Sequence, residues 1–172
     1  GMYCETSGLA VPTGECSPGY YCPSGSSSTT ATECPVNNYC PSGSPVARPC
    51  PSGKHQDAGG SSECDVCPEG KECRDGSSAD ECPRGYYCPS GTAANAVACP
   101  SGTYGASEGL GSEEECSACP GGKYCSGTGL VDSSGDCWPG YYCAQGSNRA
   151  DPVTGQNESE IVDGNVTRYV MS

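Results

Sequence analysis

The chain has 172 residues, of which 17 are cysteine and none is phenylalanine, and its formal net charge at pH 7 is -13. Leucine, isoleucine and valine together contribute only 14 residues, which excludes a conventional hydrophobic core. The eight Lys and Arg residues are scattered, which excludes nucleic acid as a partner, and no apolar run is long enough to span a membrane.

The cysteine content takes the place of the missing core. About a tenth of the residues are cysteine, a level typical of disulfide scaffolds. Cross-links lower the entropy of the unfolded chain, so they stabilise a fold that buries little apolar surface. Because bridges of this density form in an oxidising compartment, we predict a protein that is extracellular or faces the lumen of the secretory pathway.

The first cysteine, Cys4, stands apart from the others. It ends the sequence Gly1-Met2-Tyr3-Cys4, which looks like the second half of a Pro-Gly-x-Tyr-Cys turn. The other 16 cysteines are enough to form eight bridges among themselves. We therefore expect the partner of Cys4 to lie upstream of the first residue of this chain.

A Cys-x5-Cys motif then repeats along the chain, and Pro-Ser-Gly often follows its second cysteine. The glycine three residues after the first cysteine fits a tight turn with a positive φ, and Asn37 replaces it once with the residue that best tolerates that conformation after glycine. Each motif thus predicts a short hairpin arm with one tyrosine over a disulfide or proline and the next facing solvent. The six copies are Cys16–Cys22, Cys34–Cys40, Cys67–Cys73, Cys82–Cys88, Cys119–Cys125 and Cys137–Cys143. The matching turn glycines are Gly19, Gly70, Gly85, Gly122 and Gly140.

Two connectors of the form Cys-Pro-Ser-Gly-x(n)-Cys-x2-Cys separate pairs of these motifs, which gives a larger unit of about fifty residues. Such a period is typical of arrays in which each unit mainly contacts its neighbours. We predict a small disulfide-rich fold, an elongated tandem array of short β-hairpin modules with little regular secondary structure and no helical core. The connectors run from Cys50 to Cys64 and Cys67, and from Cys99 to Cys116 and Cys119. The predicted modules are 1–49, 50–98 and 99–146, followed by a cysteine-free segment, 147–172.

The cysteine-free segment contains two N-glycosylation sequons, which start at Asn157 and Asn165. In a secreted chain both asparagines are predicted to carry glycans. Residues 161–166 predict a small hairpin with an Asp-Gly turn. The segment is then a linker followed by an edge strand of another domain, or by a strand that pairs with a neighbouring subunit.

The order of the motifs resembles the cysteine-rich modules of tumour necrosis factor receptors, and it is closer still to the ephrin-receptor-like repeats of large extracellular proteins. The sequence from Cys99 to Tyr104, followed by Cys116-Ser-Ala-Cys119-Pro, is a good match to the latter. The Gly/Ser/Pro-rich loops are similar to those of mastigoneme proteins, the glycoprotein hairs of algal flagella. The resemblance covers about residues 4–146. It implies an architecture, and it implies no catalytic residues, ligand residues, metal or cofactor.

The sequence alone leaves the disulfide pairing open. In the scheme that we favour, each connector closes on itself and each pair of Cys-x5-Cys motifs interlocks. The connector bridges are Cys50–Cys64 and Cys99–Cys116. The interlocked bridges are Cys16–Cys34, Cys22–Cys40, Cys67–Cys82, Cys73–Cys88, Cys119–Cys137 and Cys125–Cys143.

Four features are candidates for a metal, catalytic or binding site. The Cys-x2-Cys sequences Cys64–Cys67 and Cys116–Cys119 have the spacing of zinc ligands, but the surrounding motifs and the sequons favour disulfides. His55, the only histidine, is expected in an exposed polar loop rather than in a catalytic site. The acidic run 113–115 lacks the alternating ligands of a calcium loop and is expected to be a solvated loop. Trp138 is expected to pack over its disulfide, and a contact with a neighbouring unit or chain is the alternative.

These features predict a structural protein without catalytic machinery. We expect a glycosylated rod within a filament-forming or cell-surface protein, extracellular and on the surface of a cell, flagellum or cilium. Its expected partners are copies of itself or a neighbouring extracellular protein, with residues 160–171 making that contact. The alternative function is the ligand-binding or adhesion ectodomain of a receptor, for which an exposed aromatic or Arg-rich patch would be the sign.

Overall fold

The structure, a computed structural model, describes residues 1–76 and 78–152. Within these residues the regular elements are 16 strands of two residues each and one 3₁₀ turn, Glu113–Glu115. The strands pair antiparallel in eight two-stranded sheets, so the predicted fold class, a small disulfide-rich array of β-hairpins without a helical core, is confirmed. The sheets are β1 (Met2–Tyr3) with β2 (Gly14–Glu15), β3 (Tyr20–Tyr21) with β4 (Thr32–Glu33), β5 (Asn38–Tyr39) with β6 (Arg48–Pro49), β7 (Lys54–His55) with β8 (Asp65–Val66), β9 (Lys71–Glu72) with β10 (Asp80–Glu81), β11 (Tyr86–Tyr87) with β12 (Val97–Ala98), β13 (Thr103–Tyr104) with β14 (Ser117–Ala118), and β15 (Lys123–Tyr124) with β16 (Gly135–Asp136).

We number the hairpins 1 to 8 in the order of these sheets. Hairpin 1 contains residues 1–15, and each later hairpin begins at the cysteine that precedes its turn. Residues 137–152 form a last turn that has no strand among the described residues, and we call them the terminal segment. Hairpins 2 to 8 contain residues 16–33, 34–49, 50–66, 67–81, 82–98, 99–118 and 119–136, respectively.

Each hairpin from the second onward begins with a four-residue turn, ahead of its first strand, whose third residue has a positive φ. In hairpin 2 the Tyr20 N–H donates to the Ser17 carbonyl over 3.1 Å, and Gly19 has a φ of 83°. Asn37 is the one described residue other than glycine with a positive φ, 64°. The predicted conformation is therefore confirmed at Asn37 and at all five predicted glycines. Gly53 and Gly102, in the connectors, have the same conformation.

Each hairpin from the second onward contains its own disulfide, as does the terminal segment. The predicted connector bridges Cys50–Cys64 and Cys99–Cys116 are confirmed. The six interlocked bridges are wrong, because the turn folds each Cys-x5-Cys motif back until its own cysteines face each other. Their Cα atoms are 5.8 to 6.1 Å apart, within the usual disulfide range. The observed bridges are Cys16–Cys22, Cys34–Cys40, Cys67–Cys73, Cys82–Cys88, Cys119–Cys125 and Cys137–Cys143.

The disulfides are also the core of the fold. Apart from cysteines, Ala150 is the only buried hydrophobic residue among the described residues. A bridge between cysteines six residues apart, as in the Cys-x5-Cys motifs, stabilises the chain by roughly 2 kcal/mol in the chain-entropy model. The fold therefore depends on its bridges and not on aliphatic packing.

Hairpins 4 and 7 differ from the others in the position of the second cysteine. Their bridges span 14 and 17 residues, whereas the bridges of the other hairpins span 6. Because hairpins 4 and 7 are three hairpins apart, the fifty-residue period seen in the sequence corresponds to three hairpins. Six residues after their first cysteine, where the others have the second cysteine, they have Gln56 and Gly105.

The described residues form two compact units. The first contains Gly1–Glu81 with Pro89–Asn95, and the second contains Cys82–Cys88 with the chain from Ala96 onward. The boundary between the units passes through hairpin 6. The three-module division 1–49, 50–98 and 99–146 stays a prediction.

Candidate functional site: the stacking faces of the hairpins

In the first unit, hairpin 2 is joined to hairpin 3, and hairpin 3 to hairpin 4, by four backbone hydrogen bonds, which we call the stacking ladder. Two bonds are made by the turn residue with positive φ, and two are made by a second loop that follows the second-cysteine position. Since each bond uses backbone groups only, the ladder is independent of most side chains. Between hairpins 2 and 3 the bonds are Gly19 N–H to Cys40 C=O (2.8 Å), Cys34 N–H to Gly19 C=O (2.9 Å), Gly43 N–H to Cys16 C=O (2.9 Å) and Cys22 N–H to Ser44 C=O (2.9 Å).

The same stacking ladder occurs in the second unit. It joins hairpin 6 to hairpin 7, hairpin 7 to hairpin 8, and hairpin 8 to the terminal segment. Its recurrence shows that the same stacking geometry is used within each of the two units. From hairpin 8 to the terminal segment the bonds are Gly122 N–H to Cys143 C=O (2.9 Å), Cys137 N–H to Gly122 C=O (3.1 Å), Gly146 N–H to Cys119 C=O (2.8 Å) and Cys125 N–H to Ser147 C=O (2.9 Å).

The turn glycine also faces the second hairpin further along the chain. A Cβ on Gly53 would lie 2.8 Å from the carbonyl oxygen of Gly91, and a Cβ on Gly102 would lie 2.5 Å from that of Gly146. Both distances are too short for a carbon and an oxygen that are not bonded. At Gly53 and Gly102 the turn therefore requires glycine for two reasons, the positive φ and this close approach, and the sequence predicted only the first.

Gln56 takes the place of the second cysteine in hairpin 4. Its side chain is buried and makes three hydrogen bonds. The Nε2 group donates to the Glu63 carbonyl and to Asp65 Oδ2, each over 3.2 Å, and Oε1 accepts from the Ala58 N–H over 3.2 Å. These bonds cross the loop that precedes Cys64. This loop is longer than in most hairpins because the disulfide spans 14 residues, and Gln56 holds it in place.

We predict that Gln56→Ala lowers the free energy of unfolding by about 2 kcal/mol, because buried partners lose their hydrogen bonds. Denaturant unfolding with the bridges intact measures this loss, and hydrogen exchange of the Ala58 amide should become faster. Gln145→Ala is the matched control, since Gln145 is exposed, and it should leave stability unchanged. Equal stability of the two variants would contradict the prediction.

Hairpin 7 has Gly105 at the equivalent position, where a side chain has no room. A Cβ there would lie 2.9 Å from the Gly85 backbone nitrogen and 3.1 Å from Leu110 Cδ1. Gly105 donates to the Leu130 carbonyl over 2.8 Å and accepts from the Gly85 N–H over 2.9 Å. The bridge of this hairpin is therefore made by Cys116, at the far end of the loop.

The prediction that His55 lies in an exposed loop is wrong. His55 is in β7, two residues after the turn glycine, and its side chain is 12% exposed. Most hairpins have a half-buried tyrosine at this position, such as Tyr21 and Tyr39, so the histidine takes a packing position. Its Nε2 lies 3.6 Å from Asp57 Oδ2, and its Nδ1 is buried with no hydrogen-bond partner in the part of the chain that the structure describes.

Glu72 has the same position in hairpin 5, and its side chain is 7% exposed. Its Oε1 accepts from Arg74 Nη2 over 2.6 Å, while its Oε2 is buried and has no hydrogen-bond partner among the described residues. The hydrogen bond to Glu72 raises the pKa of Arg74. Within residues 1–76 and 78–152, no group of three or more His, Cys, Asp or Glu side chains is placed to hold a metal ion.

The two Cys-x2-Cys sequences contribute to four different disulfides. Within each sequence the two cysteines have different partners, so neither sequence is a redox pair closed on itself. Sulfur atoms that are bound in disulfides do not act as thiolate ligands of zinc. The interpretation of these sequences as bridge cysteines is therefore confirmed. The bridges are Cys64–Cys50, Cys67–Cys73, Cys116–Cys99 and Cys119–Cys125.

The acidic run forms the 3₁₀ turn Glu113–Glu115 rather than an irregular loop, and all three side chains are exposed. Hydrogen bonds from its own backbone N–H and from the Ser112 side chain lower the pKa of Glu114. The Gly111 N–H donates to Glu115 Oε2 over 2.8 Å. These carboxylates order the loop ahead of Cys116.

The terminal segment leaves its aromatic side chains exposed. Trp138, Tyr141 and Tyr142 are 57%, 52% and 61% exposed. Trp138 was predicted to pack over its disulfide, and this is wrong for more than half of its side-chain surface. In hairpin 6 the predicted alternation holds, with Tyr86 exposed and Tyr87 half-buried, whereas in hairpin 2 Tyr20 and Tyr21 are both half-buried. It fails at the terminal segment because no further hairpin covers these rings among the described residues.

Cys4 is half-buried and is the one cysteine without a disulfide among the described residues. Its N–H donates to the Ser26 carbonyl over 2.9 Å, just as the Cys22 N–H donates to the Ser44 carbonyl. Cys4 therefore occupies the second-cysteine position of hairpin 1.

Three predicted features lie outside the described residues and stay predictions. They are the glycosylation sites Asn157 and Asn165, the hairpin over 161–166, and the contact segment 160–171.

Sequence reasoning missed the second glycine of each hairpin. In the Pro-Ser-Gly sequences after Cys22 and Cys40, Gly25 and Gly43 have φ values of 90° and 72°. Gly43 makes one rung of the stacking ladder. The recurrence of Pro-Ser-Gly after the second cysteine was the available signal.

No protein-family model matches the chain, and no curated protein matches its sequence. Among residues 1–76 and 78–152 there is no helix with the length and apolar character needed to cross a membrane. The eight disulfides are typical of an extracellular or secreted protein.

Proposed function

We propose that the chain is a structural extracellular glycoprotein, the cysteine-rich repeat region of a filament-forming or cell-surface protein. The observation that carries this proposal is the stacking ladder, in which recurring glycines and cysteines join one hairpin to the next. In this proposal the residues that recur most serve continuity of the array, and no group of them converges on a catalytic centre.

The disulfide pattern supports a mechanical role. Each short bridge lies within one hairpin, so tension along the chain acts on the backbone ladder before it reaches a covalent loop. A ladder of many equivalent backbone bonds has stability that is roughly the sum of its repeated interfaces. Glycans on Asn157 and Asn165 and a mastigoneme-like place on a flagellar or ciliary surface are part of this proposal, and their support is the sequence motifs.

The exposed rings of the terminal segment favour a second candidate function, an adhesion or receptor ectodomain. Tryptophan and tyrosine are enriched in the residues that dominate protein–protein binding. Trp138, Tyr141 and Tyr142 are each more than half exposed and lie within a few residues of one another. In this alternative they would contact a soluble protein ligand.

Immunogold electron microscopy tests the proposed function. With antibodies raised against the recombinant chain, we expect continuous labelling along extracellular filaments or a surface layer of the native cell. Mass spectrometry of that material before and after deglycosylation should show glycans on Asn157 and Asn165. Isolation of the native protein as a monomer bound to a soluble ligand, with no labelled filament or layer, would support the receptor function instead.

A further inference from the structure

The loop between Cys22 and β4, in hairpin 2, is rich in hydroxyl groups. Serine and threonine occupy seven of the nine positions from 24 to 32. No charged residue lies between Glu15 and Glu33, although the whole chain has a formal net charge of -13. The loop therefore differs from the rest of this acidic chain, because its side chains offer hydroxyl groups and no charge.

The backbone holds this loop in place. The Ser26 N–H donates to the Pro23 carbonyl over 3.2 Å, and Ser26 Oγ donates to the same carbonyl over 2.7 Å. The Ser17 N–H donates to the Thr29 carbonyl over 2.9 Å. The loop then ends at β4, which pairs with β3. Since most of these bonds use main-chain groups, the loop is ordered without help from its side chains other than Ser26.

Serine hydroxyls in the equivalent loops of other hairpins are part of the stacking. In hairpin 3, Ser42 Oγ donates to the Cys16 carbonyl over 3.2 Å. In hairpin 6, Ser90 Oγ donates to the Cys67 carbonyl over 3.2 Å. Ser24 of hairpin 2 has the same position in its loop. A serine at this position therefore serves the contact with the preceding hairpin.

Three hydroxyl groups of the hairpin 2 loop have no such role. Ser27, Ser28 and Thr30 are exposed. The Ser27 side chain makes no hydrogen bond among the described residues. Ser28 Oγ and Thr30 Oγ1 lie 3.2 Å apart and bond to each other. We call these three side chains the hydroxyl patch, and no contact between hairpins depends on them.

The charges around the hydroxyl patch favour a neutral modification. The first basic residue of the chain is Arg48, so hairpins 1 and 2 contain no Lys or Arg. A phosphate on the patch would add negative charge to an acidic chain without a cation in these hairpins to pair with it. A neutral sugar adds no charge, and segments rich in serine and threonine are typical sites of O-linked sugars.

We propose that Ser27, Ser28 and Thr30 carry O-linked sugars. In the transfer a bond forms between the side-chain oxygen and the anomeric carbon of a nucleotide-activated sugar. The bond from that carbon to the nucleotide phosphate breaks, the hydroxyl proton passes to a base of the transferase, and the nucleotide is released. The inference rests on the extracellular setting of the proposed function, because the transfer takes place in the secretory pathway. The sugars would hydrate a loop that has no charge of its own.

Mass spectrometry of the protein secreted by its native cells tests the proposal. After reduction, cleavage at Glu15 and Glu33 releases the peptide 16–33, which contains the whole loop. This peptide should be heavier than its sequence by the mass of sugar residues, and alkaline β-elimination should remove the addition. Fragmentation that preserves glycosidic bonds should place it on the hydroxyl patch. The peptide that begins at Cys34 is the internal control, and Ser42 within it should be unmodified.

A variant without the three hydroxyl groups gives a second measurement. Ser27→Ala with Ser28→Ala and Thr30→Ala, secreted from the same cells, should lose the added mass of the peptide 16–33 completely. The backbone bonds that hold the loop remain, so this variant should be secreted like the wild type. Ser42→Ala is the matched control, and it should leave the added mass unchanged.

An unmodified peptide 16–33 in the native protein would overturn the inference. A phosphate on the hydroxyl patch, or sugar confined to other side chains of the loop, would overturn it too. Labelled filaments in the immunogold experiment together with an unmodified peptide would overturn this inference and leave the proposed function standing. Sugar on the hydroxyl patch of a protein that forms no labelled filament or layer would support this inference and contradict the structural function alone.

Discussion

A Gly102→Ala variant should lose about 3 kcal/mol of the free energy of unfolding. The left-handed conformation of Gly102, with a φ of 87°, costs an L-residue roughly 1–2 kcal/mol. The added methyl group would also lie 2.5 Å from the Gly146 carbonyl oxygen, and overpacking of this kind costs about 1–3 kcal/mol. Denaturant unfolding with intact bridges measures the total, and hydrogen exchange of the Cys119 amide should report loss of the ladder locally.

Gly25→Ala separates these two causes. Gly25 has a φ of 90°, and no atom lies within 4 Å of an added Cβ. This variant should show only the conformational cost, about 1 kcal/mol. If both variants lost the same free energy, the Gly146 carbonyl would be free to move aside, and the close approach between hairpin 7 and the terminal segment would not constrain the fold.

Removal of one disulfide should destabilise the chain according to the length of the loop that the bridge closes. In the chain-entropy model, Cys99→Ala with Cys116→Ala should cost roughly 3 kcal/mol, and Cys119→Ala with Cys125→Ala roughly 2 kcal/mol. The bridges span 17 and 6 residues, respectively. Denaturant unfolding of the two double variants under oxidising conditions measures the difference.

The second double variant also tests the pairing directly. If Cys119 and Cys125 bridge each other, their joint removal leaves the count of free thiols unchanged. In the interlocked scheme the same removal would release Cys137 and Cys143, and thiol labelling with mass spectrometry would detect both. A rise of two free thiols would therefore contradict the local pairing of the structure.

Much of the local structure could be predicted from single residues. The turn that begins each hairpin follows from a short sequence such as Pro18-Gly19, because glycine adopts a positive φ without strain. Asn37 was correctly placed in the same conformation for the same reason. The prediction of the connector bridges is also correct, because Cys50 and Cys99 each begin a connector loop that ends at the cysteine they pair with, Cys64 and Cys116.

Only the tertiary structure decided which cysteines pair within the motifs and which polar side chains are buried. Four cysteines allow three connectivities, and the choice depends on Cα separations that exist only after the turns have formed. Gln56 and His55 stand in sequences that are polar throughout, so no pattern shows that their side chains are largely buried. The second constraint on Gly102 also comes from stacking, because the Gly146 carbonyl that approaches it belongs to the second repeat further along the chain.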